Sequence, residues 1–192
     1  KSDNNWRKKI KFNMKDKIIV LISPRVLGSK RQIRKAPPPF GIAMLAASLN
    51  RKGYEKVHLI DAVVEDYDAI HPVKDNKTFI TYGLSDQEMT SKVKKLKPDF
   101  IGISALFSSQ TECAFSIAQY LKKTIPEIPI AMGGNHATER RNEVMSEEKC
   151  IDFILAGEAD NTFPELLDKY FGGEDYSDVP GLLYRDNGEI RE

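Results

Sequence analysis

A chain of 192 residues, 41% hydrophobic and 30% charged, has the length and composition of one soluble domain with a sizeable core, and no apolar run reaches the roughly 20 residues of a membrane-spanning helix. Two cysteines support neither a disulfide framework nor a zinc cluster, and a reducing cytoplasm is the default setting. The net charge of +1 conceals an asymmetry: residues 1–35 carry twelve Lys or Arg against two acids, and the remainder seventeen against twenty-six.

Residues 1–16 are too polar and aperiodic to build core and read as a flexible basic extension, with no signal peptide. No aromatic stacking pattern accompanies the basic arm, so a solvated tail is expected rather than a nucleic-acid contact. Residues 17–23, Lys-Ile-Ile-Val-Leu-Ile-Ser, form a continuous apolar run of strand length, the pattern of a central strand buried on both faces. A long cationic loop follows, and Pro37, Pro38 and Pro39 set an extended entry to a helix that starts at Phe40. Ile42, Leu45, Ala46 and Leu49 share one face of that helix, and Gly53 supplies its left-handed stop.

Residues 57–61 are the second strand, and residues 62–83 read as an irregular excursion without a clear period. Ser85 and Glu88 form a capping box for a helix that Met89, Val93 and Leu96 carry to Pro98. Residues 99–104 give the third strand, and Ser109 with Glu112 caps the helix after it. Residues 128–132 form the fourth strand. A short helix follows Thr138, residues 151–156 form the fifth strand, and Asp160 or Asn161 caps a last helix that Gly172 and Gly173 end. Residues 181–185 and 189–191 flank Asp186, Asn187 and Gly188, a hairpin signal.

Strands alternating with helices at this rhythm predict an α/β fold. Its sheet is expected to be flavodoxin-like (Rossmann-like), parallel and five-stranded, in the order 2-1-3-4-5, with helices on both faces and a C-terminal β-hairpin. The domain proper covers 17–175, and 176–192 is a hairpin or linker. In such a sheet ligands bind at the carboxyl edge, where Ser104 and Leu106 after the third strand should emerge beside Gly133 and Gly134 after the fourth. A nicotinamide-binding Rossmann domain is discounted, because Gly28 alone stands where a Gly-x-Gly-x-x-Gly turn is needed. A receiver domain is discounted because Pro24 and Ser104 occupy its acidic positions.

Ser104-x-Leu106 followed at this spacing by Gly133-Gly134 resembles two of the three signatures of cobalamin-binding domains. The third, Asp-x-His-x-x-Gly after the first strand, is absent. With Pro37 to Leu49, Gly133 to Thr138, and Gly157-Glu158, the chain is similar to the N-terminal cobalamin-binding domain of cobalamin-dependent radical S-adenosylmethionine enzymes. The resemblance covers about residues 17–191 and implies cobalamin as cofactor. It further implies a C-terminal radical domain in cis, with a 4Fe-4S cluster and S-adenosylmethionine, for methyl transfer or radical cyclisation. It includes no nucleic-acid or membrane partner.

On that resemblance Ser104 hydrogen-bonds the dimethylbenzimidazole tail, and Gly133 and Gly134 let the tail lie against backbone, besides making a tight turn. Gly157 and Glu158 approach the ribose or phosphate of the tail, or begin a loop. His136 follows the fourth strand rather than the first, so a tail-pocket or structural role is assigned instead of ligation to cobalt. Val26 and Leu27 lie in the loop under the corrin, which has no histidine; cobalamin is therefore expected with both its own base and any protein histidine off the metal. A flavodoxin-like binding module without cobalamin is the competing reading.

Overall fold

The computed structural model describes residues 14–106 and 108–192. Most of the expected extension lies outside the described residues, and its end, Met14–Asp16, is a 3-10 turn tied to the body by the Lys15–Glu55 and Asp16–Lys56 ion pairs. The first half runs β1 (Ile18–Ser23), β2 (Val26–Ser29), α1 (Phe40–Lys52), β3 (Lys56–Asp61), α2 (Ala62–Glu65), β4 (Ile70–Val73), β5 (Asn76–Tyr82) and α3 (Asp86–Leu96). The second runs β6 (Phe100–Ser104), α4 (Ser108–Thr124), β7 (Ile130–Gly133), α5 (Asn135–Glu139), α6 (Arg141–Glu147), β8 (Phe153–Leu155), α7 (Ala159–Gly172), β9 (Leu182–Asp186) and β10 (Glu189–Arg191).

The main sheet has seven strands, ordered β10-β9-β8-β7-β6-β1-β3, where five are expected from the sequence. The five expected strands are its parallel part, and the C-terminal hairpin extends it because β9 pairs antiparallel with β8. Along β1 the side chains alternate between two layers. Ile19 and Leu21 enter the layer that also holds Ile42, Ala46 and Leu49 of α1 and Phe163, Leu166 and Leu167 of α7. Val20 and Ile22 enter the layer with Met89 and Val93 of α3, Ile117 and Leu121 of α4, and Val144 and Met145 of α6. A strand covered on both faces has no polar side, which is why its sequence is an unbroken apolar run. Burying each such side chain contributes about 1.5–3 kcal/mol.

The helix signals hold in part. Ser85 and Glu88 form the capping box, each side chain accepting from the other residue's backbone N–H, and Gly53 ends α1 at φ 100°. Ser109, however, lies inside α4, and α7 begins at Ala159 with Glu158 at its N-cap, so Ser109, Asp160 and Asn161 are not caps. The helix expected after Thr138 is two short ones, α5 and α6, that begin at Asn135.

The excursion at 62–83 is ordered, contrary to expectation. After α2, strands β4 and β5 form an antiparallel pair, and β2 joins β5 in a separate three-stranded sheet ordered β2-β5-β4. Val26 and Leu27 therefore sit in a strand and not in a loop. The turn between β4 and β5 is tight, with Asp75 at φ 57°, and Pro72 is tolerated because β4 is an edge strand.

Candidate functional site

At the carboxyl edge of the main sheet the register places Ser104 beside Gly133 and Gly133 beside Leu155. These strand ends, with the first turns of α1 and α7, surround a pocket of about 170 Å3. Its lining includes Ser104, Leu106, Gly133, Gly134, Gly157 and Glu158, so six of the nine residues singled out in the sequence converge on one place. Its inner wall is apolar and buried: Leu21 at 0%, Phe163 at 1%, Ile42 at 2% and Leu155 at 3% exposure. Leu106 stands at the rim and is 39% exposed.

Local geometry explains the small residues. Gly134 is at φ 101°, and a Cβ there would lie 2.8 Å from the Ala105 carbonyl carbon and oxygen, so the turn closes only around glycine. Backbone bonds fix it: the Ala105 N–H donates to the Gly133 carbonyl at 2.8 Å, and the His136 N–H to the Ala105 carbonyl at 3.3 Å. A Cβ on Gly133 would meet only the Leu155 carbonyl oxygen, at 3.7 Å, leaving room on the pocket side. The Gly157 N–H donates to Thr138 Oγ1 at 3.0 Å, tying the β8–α7 loop to α5.

The other three residues lie elsewhere. His136 faces a separate cleft with Glu112, Phe115 and Arg140, its ring edge-on to Phe115 at 6.2 Å. Val26 and Leu27 line a larger cavity of about 520 Å3 between the small sheet and the ends of β1 and β3, with Asp61, Tyr82 and Gln110. In it the Asp61 carboxylate caps α2 through the Val63 and Val64 N–H groups, and burial pushes its acidity weaker than usual. Arg34 of this cavity is engaged with the Tyr67 carbonyl and lies 4.7 Å from the Tyr67 ring centroid. Arg25 points away from it, into a buried ion pair with Asp86 at 2.7 Å. Among the described residues no group of three or more His, Cys, Asp or Glu side chains is placed to hold a metal ion, and no helix is long and apolar enough to cross a membrane.

Several pocket residues escape the sequence reading. Gly41 of α1 has no atom within 4 Å of where a Cβ would be, so α1 opens onto the pocket without a side chain. Gly102 lies inside β6, and a Cβ there would come within 2.9 Å of Leu21 Cδ2 and 3.4 Å of the Phe163 ring. A glycine in a strand interior was the available signal, because it marks a close approach. Asn135 and Asp160 also line the pocket; in the sequence Asn135 lies within the Gly133 to Thr138 motif and Asp160 reads as a helix cap, and neither is assigned to the site.

A family model described as the B12 binding domain matches residues 31–167. An uncharacterized methyltransferase of Pyrococcus horikoshii is 30% identical over 175 residues, 91% of this chain and 34% of its own length. The cytidylyl-2-hydroxyethylphosphonate methyltransferase of Streptomyces wedmorensis is 29% identical over 174 residues, 90% of this chain and 32% of its own. The chain thus spans about a third of the length of these curated relatives. Among solved structures, the radical S-adenosylmethionine methyltransferase TsrM of Kitasatospora setae, with cobalamin and a 4Fe-4S cluster bound, shares the fold. Its TM-score is 0.66 at 14% identity, over 91% of this chain and 28% of that one. The cobalamin-free flavodoxin-like reading is not favoured by these likenesses. A family model that covers most of the domain, and motif residues that the fold gathers at one sheet edge, lead to the same assignment: this chain belongs to the B12 binding domain family.

Proposed function

We propose that this chain is the cobalamin-holding module of a longer cobalamin-dependent radical S-adenosylmethionine enzyme, with the nucleotide tail in the 170 Å3 pocket and the corrin toward Val26 and Leu27. The observation that carries the reading is the convergence of Ser104, Leu106, Gly133, Gly134, Gly157 and Glu158, which span more than fifty residues of sequence, on one buried apolar slot. The residues present fit such a tail. The cradle at Gly133 and Gly41 is one that side chains would fill, the inner wall is apolar, and the Ser104 hydroxyl stands at the strand end. The first-turn amides of α7 behind Glu158 suit the tail phosphate.

Bound cobalamin supplies a cobalt centre able to carry a methyl group. What this chain contributes is binding, orientation and exclusion of water. Residues of α1 and α7 would hold the tail, and β2 would present Val26 and Leu27 to the corrin, neither a donor to cobalt. S-adenosylmethionine, the 4Fe-4S cluster and the substrate of methyl transfer or radical cyclisation belong to the remainder of the protein, in a radical domain joined in cis.

The test is absorbance-monitored titration with cobalamin of the wild type and of Gly133→Leu. The variant side chain enters the slot, not the Ala105 turn, so it should fold as wild type and lose at least tenfold in affinity; unchanged affinity would rule out this placement. Electron paramagnetic resonance of the cobalt(II) form should show no nitrogen superhyperfine splitting. A triplet abolished by His136→Ala would reverse the expectation that base and histidine are both off the metal.

A further inference from the structure

The chemistry of the slot goes further than the binding of a tail and bears on which tail. Resting on the reading above, we propose that the pocket selects among cobamides by their lower base, taking an apolar fused ring such as dimethylbenzimidazole and rejecting a purine. The deep wall consists of Leu21, Ile42, Leu155 and Phe163, each at most 3% exposed. The polar side chains of the lining, Ser104, Asn135, Glu158 and Asp160, are all partly or fully solvent-accessible, so they stand at the mouth.

A benzimidazole attached through one ring nitrogen has a single nitrogen left, and a single hydroxyl such as that of Ser104 can serve it. An adenine attached in the same way retains three ring nitrogens and an exocyclic amine. Most of these would be buried against hydrocarbon, and each unpaired group is penalised in full. The two methyl groups of dimethylbenzimidazole, in contrast, gain from the apolar wall. The methyl burial alone favours the benzimidazole by roughly tenfold, and each purine group left unpaired multiplies that ratio further. The floor of the slot is closely packed: a Cβ on Gly102 would lie 2.9 Å from Leu21 Cδ2 and 3.4 Å from the Phe163 ring, so these two apolar side chains rest against the β6 backbone there.

The experiment compares three corrinoids on the purified protein by absorbance titration: cobalamin, the cobamide whose lower base is adenine, and cobinamide, which has no base. The expected order is cobalamin tightest and the adenine cobamide at least tenfold weaker. Leu45→Gln, which places an amide on the α1 side of the lining, should narrow that ratio by threefold or more. Cobinamide binding as tightly as cobalamin would overturn the placement of the tail itself. Weak cobinamide with equal affinities for the two complete cobamides would leave the placement standing and overturn the selection. So would a folded Leu45→Gln protein with the wild-type ratio; if that variant does not fold, the three-ligand comparison decides alone.

Discussion

Gly133 and Gly134 are neighbours with different tasks. One leaves space on the pocket side, and the other makes a turn that no other residue closes without strain. Sequence spacing brought both to attention but could not separate them, because the distinction depends on where the Ala105 carbonyl lies. Tyr54 illustrates a residue invisible to motif reading. It is fully buried, and its hydroxyl donates to Asp168 Oδ1 at 2.9 Å, joining the end of α1 to α7 behind the pocket. Burial, then the Asp168 charge, raises its pKa well above the ordinary 10.0. The folded protein thus holds this proton where the unfolded chain releases it, so the stability Tyr54 supplies is complete below pH 10 and falls above it, by about 1.4 kcal/mol per pH unit. Tyr54→Phe should cost about 1 kcal/mol at pH 8 by urea denaturation. That gap should close between about pH 10 and 11, since only the wild type loses the term; a gap constant with pH would refute the account.

At the level of elements, the small sheet β2-β5-β4 is attached to the main body by a charge cluster. Arg25, just before β2, donates to Asp86 Oδ2 at 2.7 Å, and Ser116 Oγ of α4 donates to the same oxygen at 2.6 Å. Both members of the ion pair are largely shielded, with side-chain exposures of 16% and 12%. Asp86→Ala should therefore lower stability by about 2 kcal/mol, because the guanidinium loses its partner in a largely shielded site. A double replacement, Arg25→Met with Asp86→Leu, should recover most of it in the same urea measurement, whereas equal loss in both proteins would mean that the pair is not what anchors β2. The main-sheet strands were legible because each is a continuous apolar run between helices with their own periodicity. The small sheet was not. β2 is four residues long, its partner β5 lies some fifty residues away, and all four β2 residues are only half-buried, so neither periodicity nor hydrophobicity marks it. The nine site residues divided accordingly: the six at or just after main-sheet strand ends converged, Val26 and Leu27 followed a strand that the pattern did not reveal, and His136, inside α5, turned to the cleft beside Phe115.

On the scale of the whole molecule the two ends of the main sheet are built differently. At the amino end of β6, Phe100 stacks on Phe153 at 5.7 Å and meets Phe163, Tyr170 and Phe171 edge-on, locking α7 to the sheet. At the carboxyl end the slot is lined by Gly41 of α1 and Phe163 of α7. Its walls come from residues 21 to 163, so the slot exists only when the entire doubly wound layer has formed. A cofactor held there binds the folded state and not the unfolded chain, and mass action converts its affinity into stability. At a free concentration 100 times the dissociation constant that is about 2.7 kcal/mol. For a protein of this size it corresponds to a rise in melting temperature of about 5–10 °C. Cobalamin should raise the melting temperature by that amount in differential scanning calorimetry, increasing with the logarithm of its concentration, while cobinamide at equal concentration should give a much smaller rise. Equal shifts from the two ligands would mean that the corrin alone is held, by the β1–β2 side of the edge, and that the slot between α1 and α7 takes no part in binding.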